Sequence, residues 1–173
     1  AGVVAARCPY MKEPSITPAP SSRNQQQQDY LQTLSTVSWP AVKADIQTFL
    51  KTSQDDVWPA DYGNYGPLFV RLAWHNAGSY RTSDGRGGAD GARQRCDPER
   101  SWEDNTNLDK ARTLLYSVKQ SWPQISWGDL ITLTGTVAVE MMGGPGAGHC
   151  AGRLDADDGS ESLLLGPTPE QEV

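Results

Sequence analysis

Gly66-Pro67-Leu68-Phe69-Val70-Arg71-Leu72-Ala73-Trp74-His75-Asn76-Ala77-Gly78 is the stretch that decides how this chain is read. Pro67 suits a first helical position, where its missing N–H costs nothing. Leu68, Phe69, Leu72 and Ala73 follow at helical spacing. Arg71 and His75 are one helical turn apart with Trp74 between, so a guanidinium, an indole and an imidazole project toward one side. An imidazole with a fixed cation one turn away can take a proton, return it, and stabilise negative charge on a leaving oxygen. The spacing alone leaves a second reading open: a core histidine and a helix arginine in an ion-pair network.

Three further helices are predicted around this one. The first starts at Ser38 as N-cap with Pro40 just inside, and Val42, Ile46, Phe49 and Leu50 form its apolar stripe. A long loop rich in Gly and Arg, Ser79 to Asn107, follows the Arg71–His75 helix. The next helix runs from about Leu108 to Lys119, with Asp109 in its first turn and Lys119 near its last, matching the dipole at both ends. The last opens with a capping-box-like Ser126-Trp127-Gly128-Asp129 and stops at Gly143-Gly144-Pro145. Its β-branched residues favour a strand by propensity, but its length and the spacing of Leu130, Leu133, Thr134, Val137, Ala138 and Met141 decide for a helix. The chain therefore reads as all-α, with about four helices, long loops and extended tails.

The tails are compositional. Residues 1–37 hold Pro14, Pro18, Pro20 and the run Gln25 to Gln28, with almost no apolar periodicity, and are expected to be a low-complexity tail. Residues 151–173 are expected to be an acidic, Pro-containing tail. Residues 38–150 form the foldable domain. Tails of this kind are rarely ordered on an isolated domain, so protein partners in a larger assembly are expected to hold them.

A net charge of −6 gives a nucleic-acid role no electrostatic footprint. No apolar run is long enough to span a membrane. Cys8, Cys96 and Cys150 are scattered and odd in number, which argues against a disulfide framework and for a reducing compartment. The chain begins with Ala1, and an organelle (plastid or mitochondrion) is favoured over the cytoplasm.

The stretch from Gly66 to Gly78 resembles the distal-side signature of the class I haem peroxidases of the plant-type superfamily. Its flanks, Trp58-Pro59-Ala60-Asp61-Tyr62-Gly63 and Asp84-Gly85-Arg86-Gly87-Gly88-Ala89-Asp90-Gly91, resemble the catalase-peroxidases most closely. So do Ser101-Trp102-Glu103-Asp104-Asn105, Leu108-Asp109-Lys110-Ala111-Arg112 and Ile125-Ser126-Trp127-Gly128-Asp129-Leu130. Beyond them, Val137-Ala138-Val139-Glu140 and Gly143-Gly144-Pro145 look more like ascorbate peroxidase. The resemblance covers about Val42 to Arg153 and implies the distal-side helical half of a haem peroxidase fold.

By resemblance, His75 would be the distal base and Arg71 would stabilise the departing oxygen. Trp74 would cover the distal face of haem b, the implied cofactor. Asn105 would accept from the far ring nitrogen of His75, and Asp104 would sit at the mouth of the access channel. Each has a plain alternative: core packing for Trp74, a solvated loop carboxylate for Asp104, an Asx turn for Asn105. Hydrogen peroxide and an unidentified electron donor are the implied partners. The family's axial ligand is a proximal histidine on a later helix. This chain has only two histidines, His75 and His149. His149 lies in loop text and reads as structural, and with Cys150 it makes no metal site without further ligands. Two functions of different classes follow. One is the distal half of a working peroxidase. The other is a haem-free, peroxidase-derived structural subunit of a larger complex, a membrane complex included.

Overall fold

The computed structural model describes residues 22–163, 165 and 166, and the outermost parts of both expected tails lie outside them. Among the described residues there are five α-helices: α1 (Arg23–Leu34), α2 (Trp39–Leu50), α3 (Gly66–Ala77), α4 (Leu108–Ser121) and α5 (Trp127–Met141). Strand pairing among these residues is confined to isolated bridges, so the architecture is all-α as the periodicity predicts.

The four predicted helices form where expected. The stripe Val42, Ile46, Phe49 and Leu50 is buried on α2. On α5 the Ser126 hydroxyl accepts from the Asp129 N–H at 3.1 Å, which closes one of the orphan donors of the helix start. The other half of the expected capping box is replaced. Asp129 does not reach back to Ser126; the Ser126 N–H donates instead to the Tyr30 hydroxyl at 2.9 Å.

Helix α1 departs from the expected tail, because the Gln run lies inside it. Ser22 caps it by accepting from the Gln25 N–H at 3.3 Å. Glutamine is a good helix former, and what periodicity could not reveal is that a few contacts seat the helix. Tyr30 donates to Asp129 at 2.8 Å, Gln27 donates to the Gly152 carbonyl, and Arg23 pairs with Asp90. The segment after residue 150 departs likewise. Asp155 accepts from the N–H groups of Trp127 and Gly128 at 2.9 and 3.1 Å, placing a carboxylate on the N-terminus of α5. Leu154 and Ala156 exchange backbone hydrogen bonds with Gly91. Packed structure thus extends on both sides of the expected 38–150 unit.

Helices α3 and α5 pack along each other at the centre, with α2 and α4 beside them. Gly135 permits this: a methyl group there would collide with Cβ of Ala73. Phe69 and Leu72 of α3 and Leu130, Ile131 and Val137 of α5 are fully buried at the contact. Phe69 also meets Phe49 edge-on at 5.1 Å. The start of α3 is fixed by Tyr65, whose hydroxyl accepts from the Gln54 N–H at 2.7 Å and donates to the Trp58 carbonyl.

The loop from 79 to 107 is not a solvated excursion. Residues 91–96 within it are buried, and single turns of 3₁₀ helix span Arg93–Arg95, Glu99–Ser101 and Glu103–Asn105. Its charges are tied as its composition suggests, by Arg81–Asp84, Arg100–Asp97 and Arg93–Glu161 pairs. Cys96 is fully buried and disulfide-bonded, whereas Cys150 is a free surface thiol. Three cysteines accommodate one bridge and one free thiol. The odd count therefore gives no support to a reducing compartment.

Candidate active site

The α3 helix carries Arg71, Trp74 and His75, and the 3₁₀ turn Glu103–Asn105 faces its last turn. His75 Nδ1 and Asn105 Oδ1 are 2.9 Å apart. An amide oxygen can only accept, so this contact puts the imidazole proton on Nδ1 and leaves Nε2 with a free lone pair. Nε2 meets no hydrogen-bond partner among the described residues. Asn105 itself is 4 % exposed, and its Nδ2 donates to the Glu99 carbonyl.

A cavity of about 190 Å³ opens in front of this pair, walled by His75, Trp74, Trp102, Asp104, Asn105 and Leu165. Trp74 is 73 % exposed, so most of its indole stands uncovered beside the imidazole. Asp104 is exposed at the cavity wall. Arg71 is placed differently from the other four. Its guanidinium donates to the backbone carbonyls of Thr106 and Asp104, at 2.9 and 2.6 Å, and it does not line the cavity. Arg71 thereby braces the turn that presents Asn105. Of the five residues singled out in the sequence, His75, Trp74, Asn105 and Asp104 share one cavity, and Arg71 is tied to the turn that carries Asp104 and Asn105.

Two buried residues that the sequence did not signal stand behind Asn105. Gln94 Nε2 donates to Asn105 Oδ1 at 3.4 Å, and Arg112 Nη1 donates to Gln94 Oε1 at 3.3 Å. Arg112 lies on the buried side of α4, and its charge amid apolar neighbours was the one available cue. Gln94 sits in a loop without periodicity and gave none.

A larger cleft, about 830 Å³, is lined by Arg23, Arg86, Arg93 and Arg153 with Asp90 and Glu161. Its cations are already engaged. Arg23 pairs with Asp90, Arg93 with Glu161 and Arg153 with Asp129, while Arg86 donates to the carbonyls of Glu161 and Leu163. Nearby, burial pushes the Glu99 carboxyl above the usual range, although Ser162 donates to it at 2.6 Å. His149 packs against Trp39 with ring centroids 6.0 Å apart. Burial holds its pKa below the ordinary 6.5. Among the described residues no group of three His, Cys, Asp or Glu side chains is placed to hold a metal ion. No described helix is long and apolar enough to cross a membrane.

The all-α frame thus carries a histidine held by an asparagine beside an exposed tryptophan. The family model for peroxidase matches residues 42–173, and the chain belongs to the peroxidase family. Catalase-peroxidase 2 of Burkholderia vietnamiensis is 57 % identical over 143 residues, 82 % of this chain and 19 % of that protein. The catalase-peroxidase of Yersinia pestis (strain Pestoides F) is 59 % identical over 128 residues, 73 % of this chain and 17 % of that protein. That of Yersinia pseudotuberculosis serotype IB shares the same figures, 59 % over 128 residues. The chain thus spans 17–19 % of the length of these relatives. The likeness places it with the class I peroxidases, over their distal half.

Proposed function

We propose that this chain supplies the distal acid–base half of a haem peroxidase site that reduces hydrogen peroxide. The observation that carries this reading is the 2.9 Å contact of His75 Nδ1 with Asn105, which leaves the Nε2 lone pair of a cavity-lining imidazole free beside Trp74. The uncovered indole and the free imidazole edge suit one face of a planar macrocycle. Haem b, when bound, supplies the iron and the electrons for cleaving the O–O bond. Of the chain's two histidines, His149 is packed on Trp39 away from this cavity, so the described residues would supply only the His75 side of the haem site.

In this reading Nε2 of His75 would take a proton from one oxygen of hydrogen peroxide and return it to the other, with haem, when bound, accepting the remaining oxygen atom. Trp74 covers the cofactor face. Arg71, tied to the Asp104 and Thr106 carbonyls beside the cavity, would have to turn toward it to stabilise the charge that develops on the departing oxygen. Asn105 holds the imidazole tautomer, and Asp104 polarises the cavity mouth. The electron donor that completes the cycle is a separate partner.

Visible absorption of the full-length protein, before and after hydrogen peroxide, tests the reading. A haem Soret band that shifts on adding peroxide is expected. The His75→Ala variant should keep the band and react roughly 10²–10⁴-fold more slowly. Folded protein that takes up no haem overturns the proposal and leaves the haem-free structural subunit as the reading.

A further inference from the structure

We propose that Gln94, oriented by Arg112, is the positioning residue that sets the tautomer of His75. The role rests on His75 being the distal base. It concerns a question the Asn105 contact leaves open, namely what prevents the asparagine amide from turning over. The two ends of an amide are nearly equal in shape and opposite in hydrogen bonding, so a turned Asn105 would offer His75 an N–H. Nδ1 would then have to accept, the imidazole proton would move to Nε2, and the base would be lost.

The orientation is dictated from the far end of a chain of contacts. Arg112, 2 % exposed, is a guanidinium and offers donors only. Its Nη1 donates to Gln94 Oε1 at 3.3 Å, which obliges the glutamine to present its carbonyl to Arg112 and its Nε2 to Asn105. Gln94 is fully buried, so no solvent competes for its amide. Gln94 Nε2 then donates to Asn105 Oδ1 at 3.4 Å, which obliges that atom to be oxygen. The same oxygen accepts from His75 Nδ1 at 2.9 Å. The Glu99 carbonyl adds a second constraint by accepting from Asn105 Nδ2. A donor-only cation on α4 thus fixes, through two amides, which nitrogen of His75 carries the proton. Conserving the shape of Gln94 while reversing its polarity should reverse the outcome.

The test reads the tautomer by ¹⁵N NMR of histidine-labelled full-length protein, with the His75 signal assigned by its loss in a His75→Ala sample. The unaltered protein should show His75 protonated on Nδ1, and protonation on Nε2 overturns the proposal without any variant. In Gln94→Glu a carboxylate accepts from Arg112 and faces Asn105 with a second acceptor, so the amide turns and the proton moves to Nε2. Gln94→Met removes the directing donor and should give a mixture. Adding Asn105→Asp to Gln94→Met should restore protonation on Nδ1, because a carboxylate accepts in either orientation. Peroxide reaction in Gln94→Glu should fall roughly 10–100-fold, as for other residues that orient a site imidazole. Folded Gln94 variants that keep the wild-type tautomer show that Glu99 suffices, and overturn the role of Gln94. The tautomer is measured without peroxide, so an inactive protein with the expected tautomers fails the proposed function and not this inference.

Discussion

Asp129 is fully buried at the start of α5 and accepts from a hydroxyl, the backbone N–H groups of Gly152 and Arg153, and a guanidinium. Tyr30 binds two of the partners at this corner, donating to Asp129 and accepting from the Ser126 N–H. Burial pushes its phenol above the ordinary range, so it keeps its proton and its role as donor. Tyr30→Phe strands the Ser126 N–H and removes one donor from a buried carboxylate, which should cost about 1–3 kcal/mol in denaturant unfolding. A variant as stable as the parent shows that water replaces the hydroxyl. The sequence marked Ser126 and Asp129 as a cap because their spacing is local. It gave no sign of Tyr30, because that contact closes across 99 positions. The same division holds at the site. Arg71, Trp74 and His75 are legible as one turn of helix, whereas Gln94 enters through a loop whose path no periodicity records.

Between elements, the approach of α3 to α5 depends on the absence of a side chain at one position. Gly135→Ala drives a methyl group against Ala73, two residues before His75, and has to separate the helices or bend one. Overpacking of this kind costs ~1–3 kcal/mol, and a lowered melting temperature is the expected readout. Should the variant melt with the parent, the helices have room that their packing does not suggest. At the head of α5, Asp155 puts a carboxylate on the N–H groups of Trp127 and Gly128. Asp155→Asn loses the charge and one of the two accepting oxygens, so one N–H faces an amide NH2; of the total cost, roughly 0.3–1 kcal/mol should be the salt-screened part owed to the helix dipole. An effect independent of salt points to geometry instead of the helix dipole. The helices themselves were readable because each carries a complete apolar stripe. Helix α1 was not, since its Gln-rich face has no stripe and its seat is made by Arg23, Gln27 and Tyr30 one contact at a time.

Across the whole molecule, buried Glu99 and half-buried His149 bend the pH dependence of stability in opposite directions. Burial, chiefly, lowers the His149 pKa in the folded state, so the unfolded chain binds the proton first. Asp129, Arg153 and Lys43 act on it more weakly. Its contribution to stability is complete above its ordinary 6.5 and is lost as pH falls from there through the lowered value. Glu99 is raised, again by burial first, so its contribution is complete below its ordinary 4.5 and fades as pH climbs through the raised value. Unfolding of His149→Gln should lose the acid-side slope, and Glu99→Gln the slope that begins near 4.5. Unchanged profiles would place the responsible protons elsewhere. There is also a consequence for the order in which the molecule assembles. Helix α1 is anchored to residues 67, 99 and 125 positions further along the chain. Contacts that far apart carry a loop-closure cost and are made late. On the ribosome, α1 leaves the exit tunnel long before Asp129 and Gly152 exist to receive it, so a helix made early is among the last to find its seat.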